Sequence, residues 1–108
     1  MIGAARVGLH RVDRLIGSFV AGVLGVEAER LVFRRAYAQV FSASLREGVL
    51  EGSLPPQDPS LTAVALVGAI GEVLTQPHDA DEDALVASLV RFCLRSITEE
   101  THVHHRAA

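Results

Sequence analysis

The chain contains no lysine and only one cysteine. The first absence bears on the source of the protein, and the second on its disulfides and metal sites. All ten basic residues are arginines, and this bias, together with the abundance of Ala and Val, indicates a bacterial source with a GC-rich genome. The single Cys93 excludes an internal disulfide and any metal site built from several cysteines, so nothing points to an oxidising compartment. We therefore expect a cytoplasmic protein.

The sequence also lacks an apolar run long enough to cross a membrane. The longest such run, residues 61–74, is interrupted by Glu72 and falls short of the ~20 residues that a bilayer requires. Arginines precede the apolar residues 15–26, but Asp13 lies among them and the apolar positions follow helical spacing, which favours a domain helix over a signal peptide. Hydrophobic residues at 49% and charged residues at 21% exclude both a disordered chain and a membrane protein.

The net charge of −3 gives the chain no general attraction to the phosphates of nucleic acids. Residues 1–57 hold seven arginines against five acids (+2), whereas residues 58–108 hold three arginines against eight acids (−5). One small basic patch, formed by Arg30, Arg34 and Arg35, suits an anionic ligand or a phosphate. Acidic residues in the preceding turn favour the other interpretation, a solvated helix face with local ion pairs.

Enzymatic motifs are missing as well. The sequence has no phosphate-binding glycine loop, serine-centred elbow, His-Glu metal motif or pair of catalytic carboxylates. Cys93 lies in an apolar helical neighbourhood, which raises the pKa of a thiol and makes it inert. His102, His104 and His105 are typical metal-binding residues, but they lack further ligands at helical spacing, which favours a disordered tail. We expect neither an enzyme nor a cofactor or metal.

A hydrophobic period near 3.6 residues predicts an all-α fold along almost the whole chain. We predict four helices, over about residues 9–24, 27–51, 59–75 and 81–98. The first is expected to end at Gly25. They form one antiparallel bundle in a single domain over residues 1–98, followed by a polar, disordered tail over residues 99–108.

Local signals mark the ends of three of these helices. Gly52 is a natural left-handed terminator for the second helix. Asp58 can cap the free amides of the third helix, and Pro59 fits its first position. Asp79 and Glu82 have the spacing of a reciprocal capping box for the fourth helix.

The last two helices carry more apolar surface than a domain of this size can bury. In the third helix, Leu61, Val64, Ala65 and Gly68 lie on one side, and a second apolar side runs from residue 66 to residue 74. The simplest neighbour for the surplus side is a second copy of the chain, so we expect a homodimer with two helices from each copy at its interface. The predicted interface residues are Val67, Gly68, Ile70, Gly71, Leu74, Leu89, Val90, Cys93 and Leu94.

Several weak signals follow one another in a distinctive order over residues 31–98. A helix ends in Leu-Arg-Glu-Gly at residues 45–48, a turn containing Gly52 follows, Asp58-Pro59 opens a helix of Ala, Val, Leu and Gly, and the last helix ends in Leu-Arg-Ser-Ile at residues 94–97. This order resembles the C-terminal regulatory domain of TetR-type bacterial transcription factors.

The resemblance implies an effector-sensing and dimerisation domain of a transcriptional repressor, with a small apolar or amphipathic ligand in its helical core. In that family an N-terminal helix-turn-helix head reads DNA, and residues 1–30 do not match such a head. DNA contact is therefore expected only through a domain that this sequence does not contain. The alternative is a purely structural helical homodimer that binds no ligand.

Five residues are candidates for ligand binding. Phe33, Tyr37 and Phe41 follow one another at four-residue spacing and, with Phe19 on the first helix, could line a cavity. Such a stripe is more often ordinary core. Glu72 is the one ionisable residue within an otherwise apolar helix; it could orient a ligand, although a solvated helix end is the favoured interpretation.

Overall fold

The computed structural model describes residues 2–25, 31–77, 79 and 81–99. Within these residues the fold is all-α, as predicted, with four helices and no strand. The helices are α1 (Ile2–Gly25), α2 (Leu31–Glu51), α3 (Pro59–Thr75) and α4 (Glu82–Thr98). Helix α1 begins well before the predicted residue 9, because the helix-forming Ala4, Ala5 and Arg6 extend it despite two neighbouring glycines.

The start of α3 is the strongest local signal in the chain, and the structure confirms it. The Asp58 carboxylate accepts hydrogen bonds from the backbone N–H groups of Ser60 (3.1 Å) and Leu61 (3.2 Å). Pro59 occupies the first turn, where its missing N–H costs no helical bond. Gly52, just after α2, has a φ of +83°, which confirms the predicted left-handed terminator.

The start of α4 differs from the prediction. Asp81, rather than Asp79, is the N-cap, and its carboxylate accepts a hydrogen bond of 3.1 Å from the backbone N–H of Ala84. The sequence offers both aspartates within three residues. Asp81 directly precedes the helix and can reach the third helical amide, so the predicted box of Asp79 with Glu82 was wrong.

The core lies where α1 and α2 meet α3 and α4. Helix α2 packs most extensively against α3 and then against α1, while α4 contacts α1 more than it contacts α3. The side-chain amide of Gln57 donates to the carbonyl oxygen of Ile97 (2.9 Å) and so ties the turn before α3 to the end of α4. Among the described residues the buried set contains no charged or polar side chain. The fully or almost fully buried residues are Val12, Ile16, Phe19, Val20, Val23, Phe41, Leu45, Leu54, Ala63, Leu66, Val67, Ile70, Leu89, Cys93 and Ile97.

Candidate functional site

The structure brings the four candidate aromatic residues of α1 and α2 together in one cluster. The ring centroid of Phe19 lies 4.8 Å from that of Tyr37, 5.5 Å from that of Phe33 and 6.2 Å from that of Phe41. These separations are those of rings in direct contact. Phe19 and Phe41 are fully buried, so the centre of the cluster belongs to the hydrophobic core.

Tyr37 contributes a hydroxyl group to this aromatic cluster. Its hydroxyl lies 2.7 Å from the Ser18 hydroxyl on α1, within hydrogen-bond distance. The Phe33 ring also packs closely against the backbone of α1 at Gly22. A Cβ atom at residue 22 would be 2.5 Å from the Cζ atom of that ring. The arrangement therefore has the character of packed core rather than of an open ligand chamber.

Glu72 lies away from the core, on the exposed side of α3. Its carboxylate accepts a hydrogen bond from the side-chain amide of Gln76, one turn further along. The favoured interpretation from the sequence, a solvated end of the helix, agrees with this exposure.

Five of the nine predicted interface residues lie in the core of the single chain. Their side chains or backbone already pack against other helices of the same copy, and they leave almost no surface for a partner. They are Val67, Ile70, Gly71, Leu89 and Cys93. The guanidinium of Arg34 on α2 lies against Gly71. A Cβ atom at residue 71 would be 2.6 Å from the Cζ atom of that guanidinium. The other four, Gly68, Leu74, Val90 and Leu94, are half-buried.

The exposed apolar surface lies on the opposite side of α3 from the one that supplied most of the predicted interface. Leu61 and Val64 are 67% and 63% exposed, and Phe92 on α4 is 52% exposed. The small side chains of Ala65 and Ala69 continue this surface along α3. We call these five residues the α3/α4 face.

An open cavity of about 370 Å³ lies between the two helices on this face. No ionisable side chain lines it. The lining residues are Leu61, Thr62, Ala65, Leu66, Ala69, Phe92 and Ser96. Phe92 was not among the predicted site residues, although it is the one aromatic side chain of α4 and it occupies an exposed position on an amphipathic helix.

Cys93, next to Phe92, points the other way and is fully buried. Burial raises the pKa of its thiol from the ordinary value of 9.0 to about 11, because the apolar surroundings disfavour the thiolate. The structure thus gives the thiol the apolar surroundings that the sequence indicated, and the thiolate, the reactive form, is scarce near neutral pH.

The raised pKa predicts a pH dependence of stability. The folded state holds the proton more tightly than the unfolded state, so this contribution is complete below pH 9 and is lost as the pH rises through about 11. We expect the free energy of unfolding to fall over this window by at most about 1.4 kcal/mol per pH unit. Urea unfolding at pH 8, 9, 10 and 11 measures the fall. Cys93→Ala is the control; an equal fall in this variant would contradict the assignment to the thiol.

Clusters of metal-ligating side chains and membrane-spanning helices were sought in the part of the chain that the structure describes. No group of three or more metal-ligating side chains occurs within it. His102, His104 and His105 lie outside the described residues. Over the same described ranges, no helix combines the length and the apolarity needed to cross a bilayer.

Comparison with protein-family models, with curated proteins and with solved structures gives no match.

Proposed function

We propose that the chain is the effector-sensing and dimerisation domain of a TetR-like transcriptional regulator, and that it pairs with a second copy through the α3/α4 face. The observation that carries the proposal is the exposure of Leu61 and Phe92, which line a cavity without ionisable side chains. In the family that the sequence resembles, the last two helices have this pairing role.

The composition of the α3/α4 face supports pairing. Interface centres are poor in charge and rich in aromatic residues, and contiguous exposed apolar surface on a small protein marks an interaction site. Single exposed apolar residues also occur elsewhere, such as Leu50 on α2. On the α3/α4 face, Leu61 and Phe92 line an apolar cavity that a partner side chain could fill.

A second copy is the partner that the face suits best. In a two-fold dimer the same patch is used by both copies, so each must present both a projection and a recess. Phe92 is a projecting side chain, and the small Ala65 and Ala69 leave a recess beside it. Phe92 of one copy is therefore expected to lie against the alanines of the other.

The aromatic cluster favours a second candidate function, a structural homodimer without an effector. Phe19 and Phe41 are fully buried and in ring contact, which leaves the central position of the predicted ligand site filled. The two candidates share the interface and differ in whether a small molecule binds.

A thermal-shift screen with apolar and amphipathic small molecules separates these candidates. The sensing function predicts at least one compound with saturable stabilisation, of about 2.7 kcal/mol at one hundred times its dissociation constant. A screen in which every shift is absent or fails to saturate would contradict sensing and leave the structural homodimer. An unrelated helical protein of similar size serves as the control for nonspecific binding.

A further inference from the structure

The cavity between α3 and α4 has one polar end. Of its seven lining residues, Thr62 and Ser96 carry hydroxyl groups, and the others are apolar. Thr62 lies in the first turn of α3 and Ser96 in the last turn of α4. The hydrogen bond from the Gln57 side chain to the carbonyl oxygen of Ile97 (2.9 Å) holds these two helix ends together. The two hydroxyl groups therefore belong to the same end of the cavity.

The Ser96 hydroxyl has a defined hydrogen-bonding direction. It donates its proton to the carbonyl oxygen of Cys93 within α4 (2.8 Å). A hydroxyl group has one proton and two acceptor lone pairs. Toward the cavity, Ser96 can therefore accept a hydrogen bond but has no proton left to donate. A ligand whose polar group is a hydrogen-bond donor matches this residue, whereas a ligand that carries only acceptors does not.

The rest of the cavity suits an aromatic ring. Ala65 and Ala69 leave space beside the half-exposed ring of Phe92, and no ionisable side chain lines this space. A flat apolar body placed there loses its contact with water and brings two rings together. The volume of about 370 Å³ is ample for one substituted ring, because an apolar cavity of about 150 Å³ already holds benzene. The neutral lining offers a charged ligand no partner.

We propose that the cavity between α3 and α4 binds a phenol, that is, a small neutral aromatic compound with one hydroxyl group. Its ring lies against Phe92 and the two alanines, and its hydroxyl donates to the oxygen of Ser96. The Thr62 hydroxyl, at the same end, can donate to the ligand oxygen in turn. The site lies between the last two helices and not in the aromatic cluster of α1 and α2, where the sequence placed the candidate ligand residues.

One consequence of this binding rests on the proposed function. In the proposed dimer, Phe92 of the other copy occupies the same recess, so a bound phenol takes the place of that ring and weakens pairing. The binding itself needs only one copy, because all seven lining residues belong to one chain. Sedimentation that shows only monomers would contradict pairing and leave the binding test intact, so the two proposals can fail separately.

Titration with p-cresol in excess, followed by the amide chemical shifts of the protein, tests the inference. The methyl ether of p-cresol is the matched ligand that lacks the donor. We expect saturable shifts centred on residues 61–69 and 92–96, with the ether binding about fivefold more weakly, the effect of losing one hydrogen bond. Ala65→Leu fills the cavity from an exposed position and is expected to abolish the shifts. Ala87→Leu, at an exposed position of α4 outside the cavity lining, is expected to leave them unchanged.

Ser96→Ala removes the hydrogen-bond acceptor and keeps a good helix former in α4. It is expected to weaken p-cresol binding about fivefold and to leave the ether unchanged, so that the two ligands bind equally. Its control is Ser88→Ala, at an exposed serine about 12 Å earlier on α4, which is expected to keep the difference. The inference is overturned if p-cresol gives no saturable shift, if the ether binds as tightly, if Ala65→Leu binds as Ala87→Leu does, or if the difference persists in Ser96→Ala.

Discussion

Phe19→Ala is expected to lower the free energy of unfolding by about 3–5 kcal/mol, the usual cost of removing a buried aromatic ring. Phe19 is fully buried and contacts the rings of Phe33, Tyr37 and Phe41. Its loss leaves a cavity between α1 and α2 that the remaining rings cannot fill without breaking contacts of their own. Since small domains are stable by only about 5–15 kcal/mol, much of the stability would disappear. Urea unfolding followed by circular dichroism measures the effect.

Leu50→Ala provides the control for this truncation. Leu50 is a large apolar residue on α2 but is 79% exposed, so its loss is expected to change the free energy of unfolding by no more than about 0.5 kcal/mol. Similar small changes in both variants would show that the ring of Phe19 does not fill the core. That result would reopen the aromatic cluster as a ligand chamber.

Phe92→Arg is expected to convert a dimer of the chain into monomers while leaving the fold intact. The side chain is half-exposed in the single copy, so an arginine there can remain in water in the monomer. In a two-fold dimer the substitution places two cations beside a cavity whose lining has no ionisable side chain. We expect the dissociation constant of the dimer to rise at least about a hundredfold, equivalent to about 2.7 kcal/mol.

Leu50→Arg is the matched control for Phe92→Arg, because it adds the same charge at an exposed apolar residue outside the α3/α4 face. Light scattering, with circular dichroism to verify the helical content, compares the two variants. A Phe92→Arg chain that pairs as tightly as Leu50→Arg would show that the α3/α4 face is not the interface.

The helices could be predicted from the sequence because their signals are local. The Asp58 carboxylate caps the first amides of α3, and the Pro59 ring favours the first helical position, so these two residues determine where the helix starts. The helix ends at Thr75, the predicted residue. Local signals do not determine the start of α4, because two aspartates compete for the N-cap position. Asp79 and Asp81 carry the same capping group, and only the path of the backbone selects Asp81.

The interface prediction required information that one helix does not contain. Helix α3 is apolar on two sides, and periodicity alone does not say which side meets α2. The structure turns the side with Val67 and Ile70 inward and leaves Leu61 and Val64 in solvent. Ile70→Arg is therefore expected to unfold the chain instead of separating two copies, because it would bury a charge in the core.

The candidate ligand residues show a similar limit. Four-residue spacing correctly places Phe33, Tyr37 and Phe41 on one face of α2, but spacing cannot tell a packed face from the wall of a cavity. The contacts with Phe19 across from α1 supply that information.

Sedimentation equilibrium of the unmodified chain at micromolar concentrations tests the pairing proposal most directly. The α3/α4 face predicts a species of twice the 11.5 kDa chain mass, with dissociation only on dilution. A single species of 11.5 kDa that persists as the concentration rises to the millimolar range would contradict pairing through this face.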